Sequence, residues 1–414
     1  MKKIAKLILL PIILLFLCHG ISYSQGSTYG GPYTDSAPIV LNGVSNKTID
    51  MLKISNPSGS CIQLINCSNI IIKNCKLGPA VGLGVDLDHC TNITVTNCSM
   101  ANVSSGLHAY MGSGISFIYN DIQNVVGPYP HGQMAQFDNV SGTGNRINYN
   151  ACDNISGQSN PEDLINLYKT NGTANDPVQV IGNLLRGGGP STTGGGLLAG
   201  DNGGSYQLIE NNICVNTGYE GIEVAGGHDI TVRNNKFYSQ KTLVSGLGIS
   251  VNNQNTEASY NITVENNQMN WTRLTGEVKN IWEAGNVGVI KGWSTNTNNP
   301  DLNSTILPAK IIGRALIDTI PTKQDTIPTS KPVVVNFGIY PNPVYSLSLI
   351  VTSSTQNNDK IVIYNSVGLK MIEASINKNK MIINTSVLAL GVYHVKILEN
   401  EKILVERKIK ITRN

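Results

Sequence analysis

The chain has 414 residues, with 30 lysines and arginines against 27 aspartates and glutamates. That length predicts two or three domains. Over residues 25–300 there are 13 cations and 19 anions, net −6, which excludes the basic surface a nucleic-acid partner needs. The rest holds 17 against 8, net +9, so the two parts are different objects.

At the start, MKKIAK is basic, LILLPIILLFL is apolar and small residues precede Gln25, which predicts a secretory signal over 1–24 cut after Ser24. Leu17 stands where lipidation of Cys18 wants Gly or Ala, which favours simple cleavage. No later run is apolar for long enough to span a membrane, so the mature protein is expected to have no span. Losing Cys18 leaves seven cysteines, an odd number, so at least one stays unpaired.

From 45 to 293 a segment close to I-x-V-x-N-N-x-I recurs, as in IIIKNCKL (70–77), ITVTNCSM (93–100), YQLIENNI (206–213) and ITVRNNKF (230–237). Its turn position falls on Cys75, Cys98, Asn120, Asn150, Asn183, Asn211, Asn235 and Asn267, at intervals of 22 to 33 residues. A second strand precedes each by about half a coil: CIQLIN, GVDLDH, GLHAYM, QMAQFD, LINLYK, GLLAGD, GIEVAG and GISVNN. Short strands with alternate Ile, Val and Leu, repeated at the length of a coil with no helical pattern between them, predict an all-β, right-handed parallel β-helix. The recurring asparagines read as a stack satisfying turn amides. Cys67 with Cys90, and Cys75 with Cys98, each 23 apart, read as stacked buried thiols.

A β-helix interior is packed, so chemistry belongs on an outer face. Alternation along the strand turns Gln63, Asp86, His108, Gln136, Asn166, Glu223 and Ser250 outward in one row, and Ile65, Asp88, Tyr110, Asp138, Tyr168, Ala225 and Asn252 in another. His108, Tyr110, Gln136, Asp138, Asn166 and Tyr168 fall on three consecutive coils. The insertions VVGPYPHG (125–132), SGQSNPED (156–163) and RGGGPSTTGGG (186–196) predict loops that wall a groove beside them. For a glycoside hydrolase, Asp86, Asp88, Asp138 and Asp201 are carboxylates of the right type. β-Elimination on a uronic acid instead needs a neutraliser, a base and an acid. Lys169, Tyr129, Tyr110, His108, His131 and Arg186 supply those types.

The stretch EDLINLYKTNGT resembles the E-x-x-I-x-x-K-S segment of the chondroitinase B and alginate lyase family of parallel β-helices, with Glu162 seven residues before Lys169. The resemblance implies Lys169 as the base and Glu162 as a ligand of calcium. The family's second acidic ligand would fall on Leu164, which binds no metal, so Gln136, His131 or Arg186 is the alternative neutraliser. The family's arginine acid would fall near Gly200, which leaves Arg186, Tyr129 or Tyr110. The wider run from QMAQFDNV to GLLAGDNGG resembles a second group of β-helix alginate lyases that use a Lys and Tyr pair. These likenesses imply a lyase acting on an alginate-like anionic polysaccharide, bound by His108, His131, Gln136, Asp138, Asn166, Tyr168 and Glu223. A C5-epimerase and a glycan-binding adhesin are the alternatives.

The domain expected over 25–314 gives way to a Pro/Thr-rich linker, 315–334, and then to 335–414, where KIVIYNSVG, LGVYHVKI and KILVERKIKI alternate as strands of a small Ig-like sandwich. YPNP (340–343) followed by a late G-x-Y-x-V closely resembles the C-terminal sorting domain of type IX secretion. The likeness implies export by that machinery to the medium or the cell surface. The protein is expected to be monomeric.

Overall fold

The computed structural model describes residues 30–128 and 130–313, and within 337–412 the strands with parts of their connections. The segment expected to be a secretory signal, the linker expected over 315–334 and Tyr129 lie outside the described residues. The chain forms two compact units, 1–323 and 324–414.

The first unit is a parallel β-helix. Each coil contributes three strands, where the sequence reading had two. One ladder runs through strands such as Val85–Asp88, Leu107–Tyr110, Ala135–Asp138 and Ile165–Asn171, all parallel and in register. A second runs through Thr91–Thr96, Ser113–Ile118 and Arg146–Asn148, and a third through Ser99–Val103, Asp121–Val125 and Ala151–Asp153. The repeat segment crosses a corner: its first half is second-ladder strand and its end opens the third ladder. The corner residue takes a left-handed backbone, as at Asn74, Asn97, Asn211 and Asn234. Asparagine tolerates that conformation better than other non-glycine residues, hence its recurrence.

Behind each corner residue stands the stacking residue. The buried amides of Asn120, Asn150, Asn183, Asn212, Asn235 and Asn267, with half-buried Asn296 at the end, form one continuous ladder. Asn183 donates through Nδ2 to Asn212 Oδ1 (2.9 Å) and to the Ile147 carbonyl (2.8 Å), and accepts from the backbone and side chain of Asn150 (2.9 and 3.1 Å). The ladder member on its coil is therefore Asn212, and Asn211 is the left-handed corner beside it. Cys75 and Cys98 continue the stack toward the N-terminus, where Cys98 N–H donates to Asn120 Oδ1 (3.0 Å). All seven cysteines from Cys61 to Cys214 are buried free thiols. The interior is filled by Ile, Val and Leu with Phe117, Phe137, Phe237 and Trp271.

Residues 306–313 close one side. Leu307 and Ile311 pack on Leu184, Ile213 and Val215 of the third ladder. The second unit is a pair of antiparallel sheets, of three and four strands, around Ile361, Ile363, Ile383, Tyr393, Val395, Ile397 and Ile409.

Removing one rung should leave the amides above and below it without partners. Asn183→Ala is expected to lower the unfolding free energy by about 2–4 kcal/mol. Asn211→Gly, which meets the same left-handed corner without a Cβ, should change it by well under 1 kcal/mol. Chemical denaturation of the two variants checks the contrast.

Candidate active site

The strand register fixes the outer face of the first ladder. Gln63 pairs with Asp86, Asp86 with His108, then Gln136, Asn166, Leu198, Glu223 and Ser250 in succession. Beside it run Ile65, Asp88, Tyr110, Asp138, Tyr168 and Asp201. His108, Tyr110, Gln136, Asp138, Asn166 and Tyr168 therefore share one face on three adjacent coils. Ala225, expected outward, is buried at the end of its strand. The three insertions lie together along one border of this face. Leu164 N–H donates to the Gly195 carbonyl, Asn160 N–H to Val125 and Glu162 N–H to Gly132.

What concentrates there is carboxylate. Between Asn166 and Tyr168 the register slips by one residue, and Gly200, at φ 64°, is the extra residue on the facing strand. Such a bulge re-aims the next side chain, here Asp201. A Cβ on Gly200 would stand 2.2 Å from the Gly226 carbonyl oxygen, so glycine is required. Asn166 Nδ2 donates to Asp201 Oδ2 (2.9 Å) and to Asp163 Oδ2 (3.4 Å). Those two oxygens are therefore no more than about 6.3 Å apart, the sum of 2.9 and 3.4 Å. Asp163 Oδ1 accepts from Gly195 N–H (2.9 Å). On the next coil, Glu220 accepts from the Ser250 hydroxyl (2.6 Å) and Glu223 from Gln254 Nε2.

Burial and mutual repulsion hold these groups toward their protonated forms. Burial first, opposed by the Gly195 amide and reinforced by Glu162, pushes Asp163 up to about 7. Asp201 is raised by burial and by Asp138, and Glu223 by burial and by Asp201. Glu220 lies well above the usual carboxylate range through burial and the charges of Glu223 and Asp163. Flanking them, His108 stands between two carboxylates, with Nδ1 3.8 Å from Asp86 and Nε2 3.6 Å from Asp138. Its ring meets that of His131 edge-on, and burial, with His108 beside it, lowers His131. Asn166 Oδ1 and His131 Nδ1 are buried and have no hydrogen-bond partner in the protein. Two such orphans beside one outer face mark where a ligand's polar groups would be received.

The residues expected to carry elimination are placed differently. Lys169 occupies the left-handed corner (φ 48°) that Asn66, Asn139 and Asn202 occupy on other coils. It is exposed, with Nζ 5.2 Å from the centroid of the Tyr168 ring. The Tyr168 hydroxyl accepts from Asn202 Nδ2 (2.7 Å). Tyr110 lies in the second outward row, its ring edge-on to His89. Arg186 is not on this face. It belongs to the third ladder, forms a two-pronged pair with Asp153 (2.8 Å each) and donates to the carbonyls of Pro308 and Ala309. Its position in the sequence, at the edge of a loop, hid that it ends a strand. Glu162 accepts from the Thr193 hydroxyl (2.8 Å), and Leu164 is buried in the core. Among the described residues no group of three or more His, Cys, Asp or Glu is placed to hold a metal ion.

Comparison with known proteins agrees with this architecture. Residues 37–196 match the right handed beta helix region family, and residues 338–412 match the secretion system C-terminal sorting domain. The chain is a β-helix carrying an export tail. That tail marks it for secretion or display at the cell surface, and no helix among the described residues is long and apolar enough to cross a membrane. No curated protein matches the chain. Among solved structures it is similar to the catalytic domain of a GH87 alpha-1,3-glucanase in complex with nigerose, at 12% identity and TM-score 0.36, over 62% of this chain and 50% of that one. It thus spans about half the length of that glucanase domain. It is also similar to a tailspike protein of E. coli bacteriophage HK620 in complex with a pentasaccharide (10% identity, TM-score 0.31, 87% and 81% covered). A third is the enzymatically active domain of bacteriophage CBA120 tailspike protein 2 (10%, 0.30, 92% and 72%). No residue of the site is assigned from these distant chains.

The raised Asp163 gives a stability signature. A carboxyl whose pKa rises from 3.8 to about 7 on folding stabilises fully at low pH, and that contribution is lost as pH climbs from about 4 to 7. Asp163→Asn should remove its share of the loss, so the variant's melting temperature should fall less than the parent's across that range. Parallel curves would contradict the assignment.

Proposed function

We propose that this is an exported glycan-degrading enzyme whose bond cleavage is general acid–base hydrolysis by Asp201 and Glu223. One observation carries the reading: two outward carboxyls on adjacent coils, each held toward its protonated form by burial, with the charge of Asp201 acting on Glu223. With one member protonated and the other ionised, the first can give its proton to the departing glycosidic oxygen while the second draws a proton from the attacking water. Asn166 orients Asp201 through its amide, and Asp163 anchors that amide from beneath. His108, bridging Asp86 and Asp138, positions the substrate on the N-terminal side.

A second reading rests on Lys169 and Tyr168. The lysine nitrogen over the tyrosine ring places a base and a proton donor side by side, as elimination on a polyuronate such as alginate would use them, and as C5-epimerisation would use the base. In this reading the acid is Tyr168, which adjoins the lysine, ahead of Tyr110 or Tyr129. No step is routed through calcium.

The two readings part on mutation. Asp201→Asn and Glu223→Gln should each lower kcat on the cleaved glycan by about 10³-fold, while Lys169→Ala keeps turnover near that of the parent. Loss of turnover in Lys169→Ala, with Asp201→Asn active, would replace hydrolysis by elimination.

A further inference from the structure

The outward row that holds Glu223 continues past it. Glu223 pairs with Ser250 and Ser250 with Trp282, so Trp282 lies two strand spacings, about 10 Å, further along the axis on the same face. Of the chain's three tryptophans, Trp271 is fully buried and Trp293 packs against the core, whereas Trp282 is 41% exposed. It thus presents an indole to solvent on the face that carries the carboxylates. Ser250 between the two is small and 1% exposed, with its hydroxyl committed to Glu220, so the floor dips between Glu223 and the indole. The border is amide: Asn286 donates to Asn252 Oδ1 (3.0 Å) and to the Asn253 carbonyl (2.9 Å), and Gln254 holds Glu223. From Gln63 to Trp282 the row contains no lysine or arginine.

We propose that Trp282 is the stacking platform of a subsite for an uncharged sugar ring, two strand spacings along the groove from Glu223, and that the substrate is therefore a neutral glycan running along the helix axis. A pyranose presents C–H bonds on its faces, which lie against an indole, and hydroxyls at its edge, which the amides of Asn252, Asn286 and Gln254 can meet. A polyuronate running along the same row would carry a carboxylate past Glu220 and Glu223, with no cation in the row to offset it. The inference rests on the groove being the glycan site.

Tryptophan emission of Asp201→Asn full-length protein, titrated with cellohexaose, laminarihexaose, maltohexaose and an alginate hexasaccharide, tests it. The expected result is a saturable emission change with at least one neutral hexasaccharide and none with alginate. Adding Trp282→Phe should abolish the change while weakening calorimetric affinity about threefold, and Trp282→Ala should weaken it about tenfold. No response to any neutral probe, a response to alginate alone, or an unaltered response in Trp282→Phe overturns the subsite. Emission reads binding without bond cleavage. A parent protein that shows the Trp282 response but releases no product overturns the acid–base reading and keeps the subsite, and one that hydrolyses without that response does the opposite.

Discussion

Every outward side chain in the first unit is placed by one constraint, the register in which each coil hydrogen-bonds to the next. Seven stacked asparagines, six of them buried, enforce it from one corner. Each amide satisfies a backbone N–H of the preceding coil, a carbonyl and the next amide, so a slip would strand several buried polar groups at once. A one-residue slip would also turn the aliphatic interior outward. With the register held, residues far apart in sequence become neighbours at strand spacing on one outer face.

The same rigidity gives the carboxylates their properties. Asp163, Asp201, Glu220 and Glu223 come from adjacent coils that cannot move apart, and burial raises all four. Like charges fixed together in such a place favour shared protons. One departure from regular register, the bulge at Gly200, falls where it brings Asp201 to Asn166. That the irregularity and the charge cluster coincide ties the local geometry to the chemistry.

Much of this was legible from alternation alone. The rows through His108, Gln136 and Asn166, and through Tyr110, Asp138 and Tyr168, follow from a period of two along short strands, and the register reproduces both. What the sequence hid were features set by the corner and the bulge. The third ladder lies within the repeat segment because its left-handed asparagine turns the chain inside what reads as one strand. A one-residue offset in aligning YQLIENNI moved the stack from Asn212 to Asn211. Asp163 and Glu220 stand outside the alternating positions, and their environments come from neighbouring coils. Lys169 matches the base of the lyase-like segment by its spacing from Glu162, yet its place is a corner shared with asparagines. Arg186 followed the loop in sequence and the third ladder in space.

The central claim is that carboxylates on adjacent coils, and not the corner lysine, break the glycosidic bond. Mass spectrometry of the fragments released from neutral and uronate glycans addresses it directly. Hydrolysis adds one water across each cleaved bond, so the paired fragments together should outweigh the parent chain by that water, with heavy oxygen incorporated when the reaction is run in labelled water. Fragments that sum to the mass of the parent chain, the new non-reducing end lighter by one water through a double bond, would contradict the account and return the site to elimination.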